Sequence, residues 1–255
     1  MADNSDIILS VRQIEKVYNG RQVLDKVSFD VRRGEIFVIL GGSGCGKSTM
    51  LRIMAGGVKP TRGQILFNGR DMSAVKGEEL EKIRRSFGMS FQSAALLDFL
   101  NVEENVCLPI KEHTKLDAKI ISIMAQTKLN LVGLQGFEKF MPSELSGGMK
   151  KRAGLARAIA MDPQIVFYDE PTAGLDPVVC AVVDQLIVDL TRKLAITSIV
   201  VTHNMESVFR IADRVAMLYQ GRLLQVGTAQ QIKDSADPIV QQFIRGDIEG
   251  PIQMS

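Results

Sequence analysis

The run "GGSGCGKST", Gly41 to Thr49, holds the residues best suited to chemistry. Gly41, four intervening residues and then Gly46-Lys47-Ser48 fit the spacing of a phosphate-binding P-loop. Gly41, Gly42, Gly44 and Gly46 let the backbone wrap closely. Successive N–H groups, through Ser43 and Cys45, then point at phosphate oxygens. The helix expected to follow, running through Thr49, presents its positive end to the same anion. Lys47 adds a point charge for the terminal phosphates, and the Ser48 hydroxyl suits the oxygen shell of Mg²⁺. Cys45 has two readings: a small filler, or a thiol made reactive by the helix N-terminus.

The second constellation is acidic. "IVFYDE" puts Asp169 and Glu170 at the end of an apolar strand, and ligands of open α/β sheets sit beyond strand carboxyl ends. Asp169 is expected to reach magnesium, directly or through water. Glu170 is expected to orient and deprotonate an attacking water, the positioning group that phosphoryl transfer needs. Taken alone, the pair also reads as a helix cap followed by a surface acid. His203 follows the apolar "TSIVVT" and is expected at the same edge, where it can bond a γ-phosphate and hold Glu170 and the water in register. Ser146, Gly147 and Gly148 head a further helix, and a serine cap on such an end is also an anion site. One chain therefore carries two phosphate-binding elements.

These groups need strands to carry them. "EIFVIL", "QIVFYDE" and "ITSIVVTH" read as buried strands, and "IILSV" and "VLDKVSFDV" as amphipathic or edge strands. "GQILFNG" and "SFGMSFQ" add two strand-like runs, and "RVAMLYQGRLLQVG" reads as a hairpin about Gln220-Gly221. "KSTMLRIMAG" reads as a helix closed by Gly56, and residues 93–160 as mostly helical. Along "VVCAVVDQLIVDLTRKL" the apolar stripe is Val179, Val183, Leu186, Ile187, Leu190 and Leu194. Alternating strands and helices favour an α/β fold.

The bulk properties narrow the class. At 255 residues and 45% apolar, the chain suffices for one large domain. A net charge of +2, no basic tail and few aromatics argue against a nucleic-acid partner. The run Lys150-Lys151-Arg152 reads as a solvated helix face. Cys45, Cys107 and Cys180 show neither disulfide framework nor zinc spacing, which points to a reducing cytosol, and His113 and His203 make no metal cluster by themselves. The start "MADNSD" lacks a signal-peptide layout, and no apolar run approaches the roughly 20 residues of a membrane helix. A membrane role has to pass through a partner.

In order and spacing, over nearly the whole chain, these pieces resemble the ATP-binding-cassette ATPases. The resemblance implies an α/β P-loop NTPase core with a mixed sheet, an antiparallel β subdomain and an inserted α-helical subdomain. It implies one domain over 1–255: core about 1–92 and 161–236, helical part about 93–160, and C-terminal tail 237–255. ATP and Mg²⁺ are the implied cofactors. Tyr18 in "VYNG" matches the adenine-stacking aromatic, though it also reads as an edge-strand residue. Gln92 in "SFQS" matches the glutamine linking the magnesium site to the helical part, or is a surface polar residue. Leu145-Ser146-Gly147-Gly148 matches the family signature, and Asp176 in "AGLDP" the aspartate of the loop after the acidic pair. In that family two copies pack head to tail, each ATP lying between one copy's P-loop and the other's signature. Two departures stand out: Met149 where the signature usually has glutamine, and Ala173 without the usual leading serine.

The wording of "GGMKKRAGLARAIA" and "AGLDP" is similar to one subgroup, the ATPases of Mla-type phospholipid transporters. Implied partners are a second copy, membrane permease subunits, an MCE-type lipid-binding protein and an accessory cytoplasmic subunit. The implied location is peripheral, on the cytoplasmic face of the inner membrane. The apolar stretch from Phe91 to Ile110 is either a groove for a permease helix or packing within the helical part. At the end of the chain, Asp237 as cap, Pro238 at the first helical position and Gly246 as stop frame a short helix expected to dock on its own domain.

Overall fold

The computed structural model describes residues 6–252; the first part of "MADNSD" and the last three residues of the tail lie outside them. Among the described residues, ten strands form two sheets. The first sheet is antiparallel, ordered β2-β1-β4-β5, from β1 (Ile7–Tyr18), β2 (Arg21–Arg32), β4 (Arg62–Phe67) and β5 (Arg70–Asp71). The β1 and β2 strands run well beyond their alternating segments. Register shifts between Val11 and Ile14, with Gln13 at φ 48°, absorb the break in period. Gly63 of β4 serves this bulge, since a Cβ there would lie 2.3 Å from the Gln13 carbonyl oxygen.

The second sheet has the order β10-β9-β3-β8-β7-β6. It comprises β3 (Ile36–Leu40), β6 (Phe87–Ser90), β7 (Ile165–Asp169), β8 (Thr197–Thr202), β9 (Arg214–Tyr219) and β10 (Arg222–Thr228). All neighbours are parallel except β9 and β10, a hairpin turning at Gln220 (φ 47°) and Gly221 (φ 78°). Positive φ at both turn residues matches the strand twist. β3 and β8 are buried on both faces, as strands of a covered parallel sheet must be.

The pleat divides the core in two. Phe37 and Ile39 of β3 pack with the antiparallel sheet and α1 (Lys47–Met54), while Ile36, Val38 and Leu40 pack with helices on the other face. Those helices include α3 (Val102–His113), α4 (Ala118–Leu131), α5 (Gly147–Ala158), α6 (Pro177–Lys193), α7 (Met205–Ile211) and α9 (Pro238–Arg245). The remaining helices of the described residues are α2 (Glu78–Arg84) and α8 (Ala229–Lys233). Each large apolar side chain removed from water contributes about 1.5–3 kcal/mol.

The helical reading of 93–160 holds for α3, α4 and α5, joined by a short 3-10 turn at Pro142–Glu144. Within Phe91 to Ile110, Ala94, Val102, Val106 and Ile110 are core, as the packing reading expects, whereas Phe99 is 76% exposed. Asn105, fully buried, bonds the backbone of Leu97, Leu100 and Asn101 and so pins the exposed loop. The C-terminal helix forms as framed, with Asp237 capping Ile239 and Val240 and Gly246 at φ 71°; Val240 docks in the core. No helix of the described residues is long and apolar enough to cross a membrane.

Candidate active site

Register brings the candidate groups to one edge. Leu40 at the end of β3 pairs with Thr202 of β8; Asp169 of β7 pairs with Val201, and Ser90 of β6 with Tyr168. Four strands therefore end nearly level. The residues that leave them are Gly41, His203, Glu170 and the Phe91-Gln92 pair.

The loop 41–46 is shaped by packing as much as by backbone freedom. A Cβ on Gly41 would stand 2.3 Å from the Leu218 carbonyl oxygen and 2.7 Å from Cys45 Sγ, and one on Gly46 would stand 2.7 Å from Leu24. Gly44 meets nothing, but its φ of 72° favours glycine. Ser43 and Gly44 form the exposed tip, and Gly42 lies beneath it near Phe243 of α9. Lys47 is only 7% exposed and donates to the carbonyls of Gly41 and Gly42, each at 2.8 Å. Cys45 is buried, and burial pushes its thiol above the usual range. Of the two readings of Cys45, filler is the one this environment favours.

Ser48 and Asp169 meet across the sheet, the hydroxyl donating to the carboxylate at 3.3 Å. Burial raises the Asp169 pKa, partly offset by the Ser48 hydrogen bond, while the Glu170 charge raises it further. A half-buried carboxylate beside a hydroxyl is a hard-oxygen donor set, so these residues fit a magnesium ion. Thr49 follows on α1, half-buried.

Glu170 is held by four contacts. It sits at φ 49°, a left-handed conformation that costs a side-chain residue about 1–3 kcal/mol and needs support from its surroundings. Its N–H donates to the Val201 carbonyl at 2.9 Å, its carbonyl accepts from the Ala173 N–H at 3.2 Å and from Lys151 Nζ at 3.3 Å, and its Oε1 lies 2.9 Å from His203 Nδ1. The Glu170 side chain is 12% exposed and the His203 ring 64%, so the carboxylate is walled in while the imidazole faces outward.

Lys151 corrects the reading of the basic run. It is 8% exposed, not solvated, and donates to the carbonyls of both Gln92 and Glu170. Arg152 likewise bonds the Val132 and Gly133 carbonyls. The available signal was helical period: Leu155 and Ala158, both buried, share the α5 face of Lys151. The Gln92 side chain itself is exposed at the strand edge.

The candidate second phosphate-binding element shares none of these bonds. Ser146 caps α5, accepting from the Met149 N–H at 3.3 Å, and Ser146 and Gly147 are exposed. None of the hydrogen bonds of Ser146, Gly147 or Gly148 reaches the loop 41–46. Gly148 packs so closely on α6 that a Cβ would stand 2.7 Å from Val179. Asp176 caps α6, accepting from Val178 and Val179, each at 3.0 Å. The Met149 side chain packs half-buried against the core. Tyr18 ends β1, 42% exposed, with Lys16 Nζ 4.7 Å from its ring centroid. Lys16 pairs in register with Leu24, the residue that abuts Gly46, so Tyr18 lies just beyond the loop toward the hairpin tip.

Two buried polar ties went unnoticed in the sequence. Asp184 of α6 bonds Arg210 of α7, and the Thr172 hydroxyl meets that of Ser207. The first joins α6, and the second the loop after Glu170, to the helix that begins just beyond His203.

A glycine-rich loop between a buried strand and a helix, with an acid ending a parallel strand one place removed in the same sheet, defines a P-loop nucleotide-binding α/β protein. The family model described as ABC transporter matches residues 24–173, more than half of the chain, and the chain belongs to that family. The Escherichia coli K12 intermembrane phospholipid transport system ATP-binding protein MlaF is 40% identical over 245 residues, covering 96% of this chain and 91% of that protein. The probable ribonucleotide transport ATP-binding protein mkl of Mycobacterium leprae is 41% identical over 249 residues, 98% of this chain and 72% of that one. Among solved structures, cbiO1 of Clostridium perfringens, part of the ABC transporter complex cbiONQ, matches with a TM-score of 0.84 at 31% identity, covering 90% of this chain and 92% of that one. The dimeric post-hydrolysis cassette MJ0796, bound to ADP and Pi, matches with a TM-score of 0.79 at 30% identity, covering 87% and 98%. The protein is an ATP-binding, ATP-hydrolysing cassette.

Proposed function

We propose that this chain is the ATP-hydrolysing subunit of a transporter that moves phospholipids between membranes and so maintains outer-membrane lipid asymmetry. The observation that carries the reading is the end-to-end similarity to MlaF, 96% of this chain at 40% identity. In this reading ATP lies on the loop from Gly41 to Thr49 with its adenine on Tyr18, and Lys47 meets the terminal phosphates. Ser48, Asp169 and Gln92 hold Mg²⁺, partly through water, and the ion supplies charge compensation for the phosphates. Glu170 holds and deprotonates the attacking water, and His203 keeps Glu170 oriented. Ser146, Gly147 and Gly148 complete the site of a second copy, with Asp176 coupling the two. The second copy packs as a self-complementary twofold pair. ATP binding closes the pair and hydrolysis opens it, through differential affinity for the two states. Residues 93–160 act as the helical unit between nucleotide and permease, and the core and tail keep the boundaries given above. The partners are the permease, an MCE-type lipid-binding protein and an accessory subunit, at the cytoplasmic face of the inner membrane.

Glu170→Gln is expected to retain ATP binding, lose turnover and accumulate the closed pair; Lys47→Ala is expected to lose nucleotide binding. For cargo, the tagged chain purified from membranes should carry a permease and phospholipid. The similarity to mkl favours a second reading, a different cargo on the same motor, and a complex that carries no lipid would favour it.

A further inference from the structure

We propose that Lys151 is a positioning residue that carries the state of the signature helix to the chain's own Glu170 and Gln92, coupling the two half-sites of one polypeptide through a single ammonium group. The inference rests on the function proposed above, in which Ser146 serves one ATP and Glu170 another. Lys151 stands on α5, the helix capped by Ser146, and its Nζ donates to the Gln92 and Glu170 carbonyls. It is 8% exposed, and no carboxylate forms a salt bridge with it among the described residues. A buried cation held by two carbonyls is a costly arrangement unless it fixes something. Here it fixes the backbone of a residue in the left-handed region, Glu170 at φ 49°.

The geometry has a directional consequence. Gly148 presses on Val179 of α6 and Ser146 opens outward, so α5 is seated between the partner-facing cap and the chain's own edge of strands. When an anion docks on the α5 N-terminus, any rotation or shift of the helix moves Nζ. Both carbonyls it holds belong to residues that line the other nucleotide. Glu170 then has the Val201, Ala173 and His203 contacts to resist displacement, and of these Ala173 alone meets the carbonyl that Lys151 holds. A misplacement of about 1 Å in a positioned group costs up to about 100-fold in rate.

The test is ATPase rate against ATP concentration in the purified complex, for wild type, Lys151→Met, Lys151→Gln and the control Lys150→Met, beside nucleotide affinity measured by binding. Wild type should be sigmoidal, with both the sigmoidicity and kcat retained in Lys150→Met. Lys151→Met should lose about tenfold in kcat and become hyperbolic, with ATP affinity within about twofold of wild type. Lys151→Gln keeps two N–H donors for the two carbonyls and should recover sigmoidicity. A Lys151→Met protein that loses kcat but stays sigmoidal overturns the proposal, as does one with unchanged kcat. If Lys151→Met fails to fold, a folded Lys151→Gln with a hyperbolic curve overturns it. Glu170→Gln in the same assay separates the two ideas: its normal turnover would sink the catalytic reading, whatever Lys151 does.

Discussion

Replacing Arg210 by methionine removes the cation from a carboxylate that has no access to water. Asp184 is fully buried; its Oδ2 accepts from Arg210, and its Oδ1 has no donor at hydrogen-bond distance. Burial pushes the Asp184 carboxyl above its usual range, with Arg210 pulling it down. Breaking one side of a buried pair costs about 3–5 kcal/mol. Arg210 is itself 36% exposed and partly screened, so about 3 kcal/mol is the expected loss. The pH dependence follows from the sign of the shift. A carboxyl with a raised folded-state pKa favours folding below its unfolded value of about 3.9, and that contribution is lost as pH rises through the folded pKa. Without Arg210 the folded pKa rises further, so the deficit of the variant should be small in acid and full at neutral pH. Urea denaturation of the nucleotide-free chain across that range measures it, and Asp184→Leu with Arg210→Met should recover most of the loss. A deficit independent of pH, or a double variant no more stable than the single, would refute the reasoning. Because α7 begins just beyond His203, the single variant should also lose ATPase activity at temperatures where it remains folded.

Three further outcomes follow from the loop and its supports. Gly41→Ala should abolish nucleotide binding and lower stability, because its Cβ would stand 2.3 Å from the Leu218 carbonyl oxygen; Gly44→Ala, in open space at φ 72°, should cost only about 1–2 kcal/mol, and thermal melts with and without ATP compare them. Cys45 should react slowly with thiol reagents at neutral pH and faster as pH rises, because burial holds its pKa up; rapid labelling at pH 7 would show the thiol is not walled in. Met149→Gln should leave turnover largely intact, since the Ser146 cap uses the Met149 backbone; a large loss in the ATPase assay would assign the thioether a specific packing role.

The edge that gathers the site was legible because each part is local. A fully apolar strand running into glycines, or into Asp169-Glu170, announces both the strand and its functional end. What local pattern cannot show is pairing. Bulges at Gln13 and Lys26, both at positive φ, hide the length of β1 and β2 from a period-two reading. The α6 stripe was read from apolar residues alone and missed Cys180, Asp184 and Thr191, all buried. Their partners lie on other elements: the Thr172 carbonyl, Arg210 and Ser198. Lys151 was misread for the same reason, since a lysine looks solvated until the carbonyls it reaches are known.

The central claim is that one chain supplies halves of two reaction centres, and complementation between two inactive variants tests it most directly. Lys47→Ala leaves the signature intact, Ser146→Arg leaves the phosphate loop intact, and each alone should be nearly inactive. Mixed before assembly, randomly paired chains should recover up to about a quarter of wild-type ATPase rate, since half of the pairs carry one complete site of two. A Ser146→Arg protein that hydrolyses ATP at full speed by itself, or a mixture no more active than its components, would contradict the account.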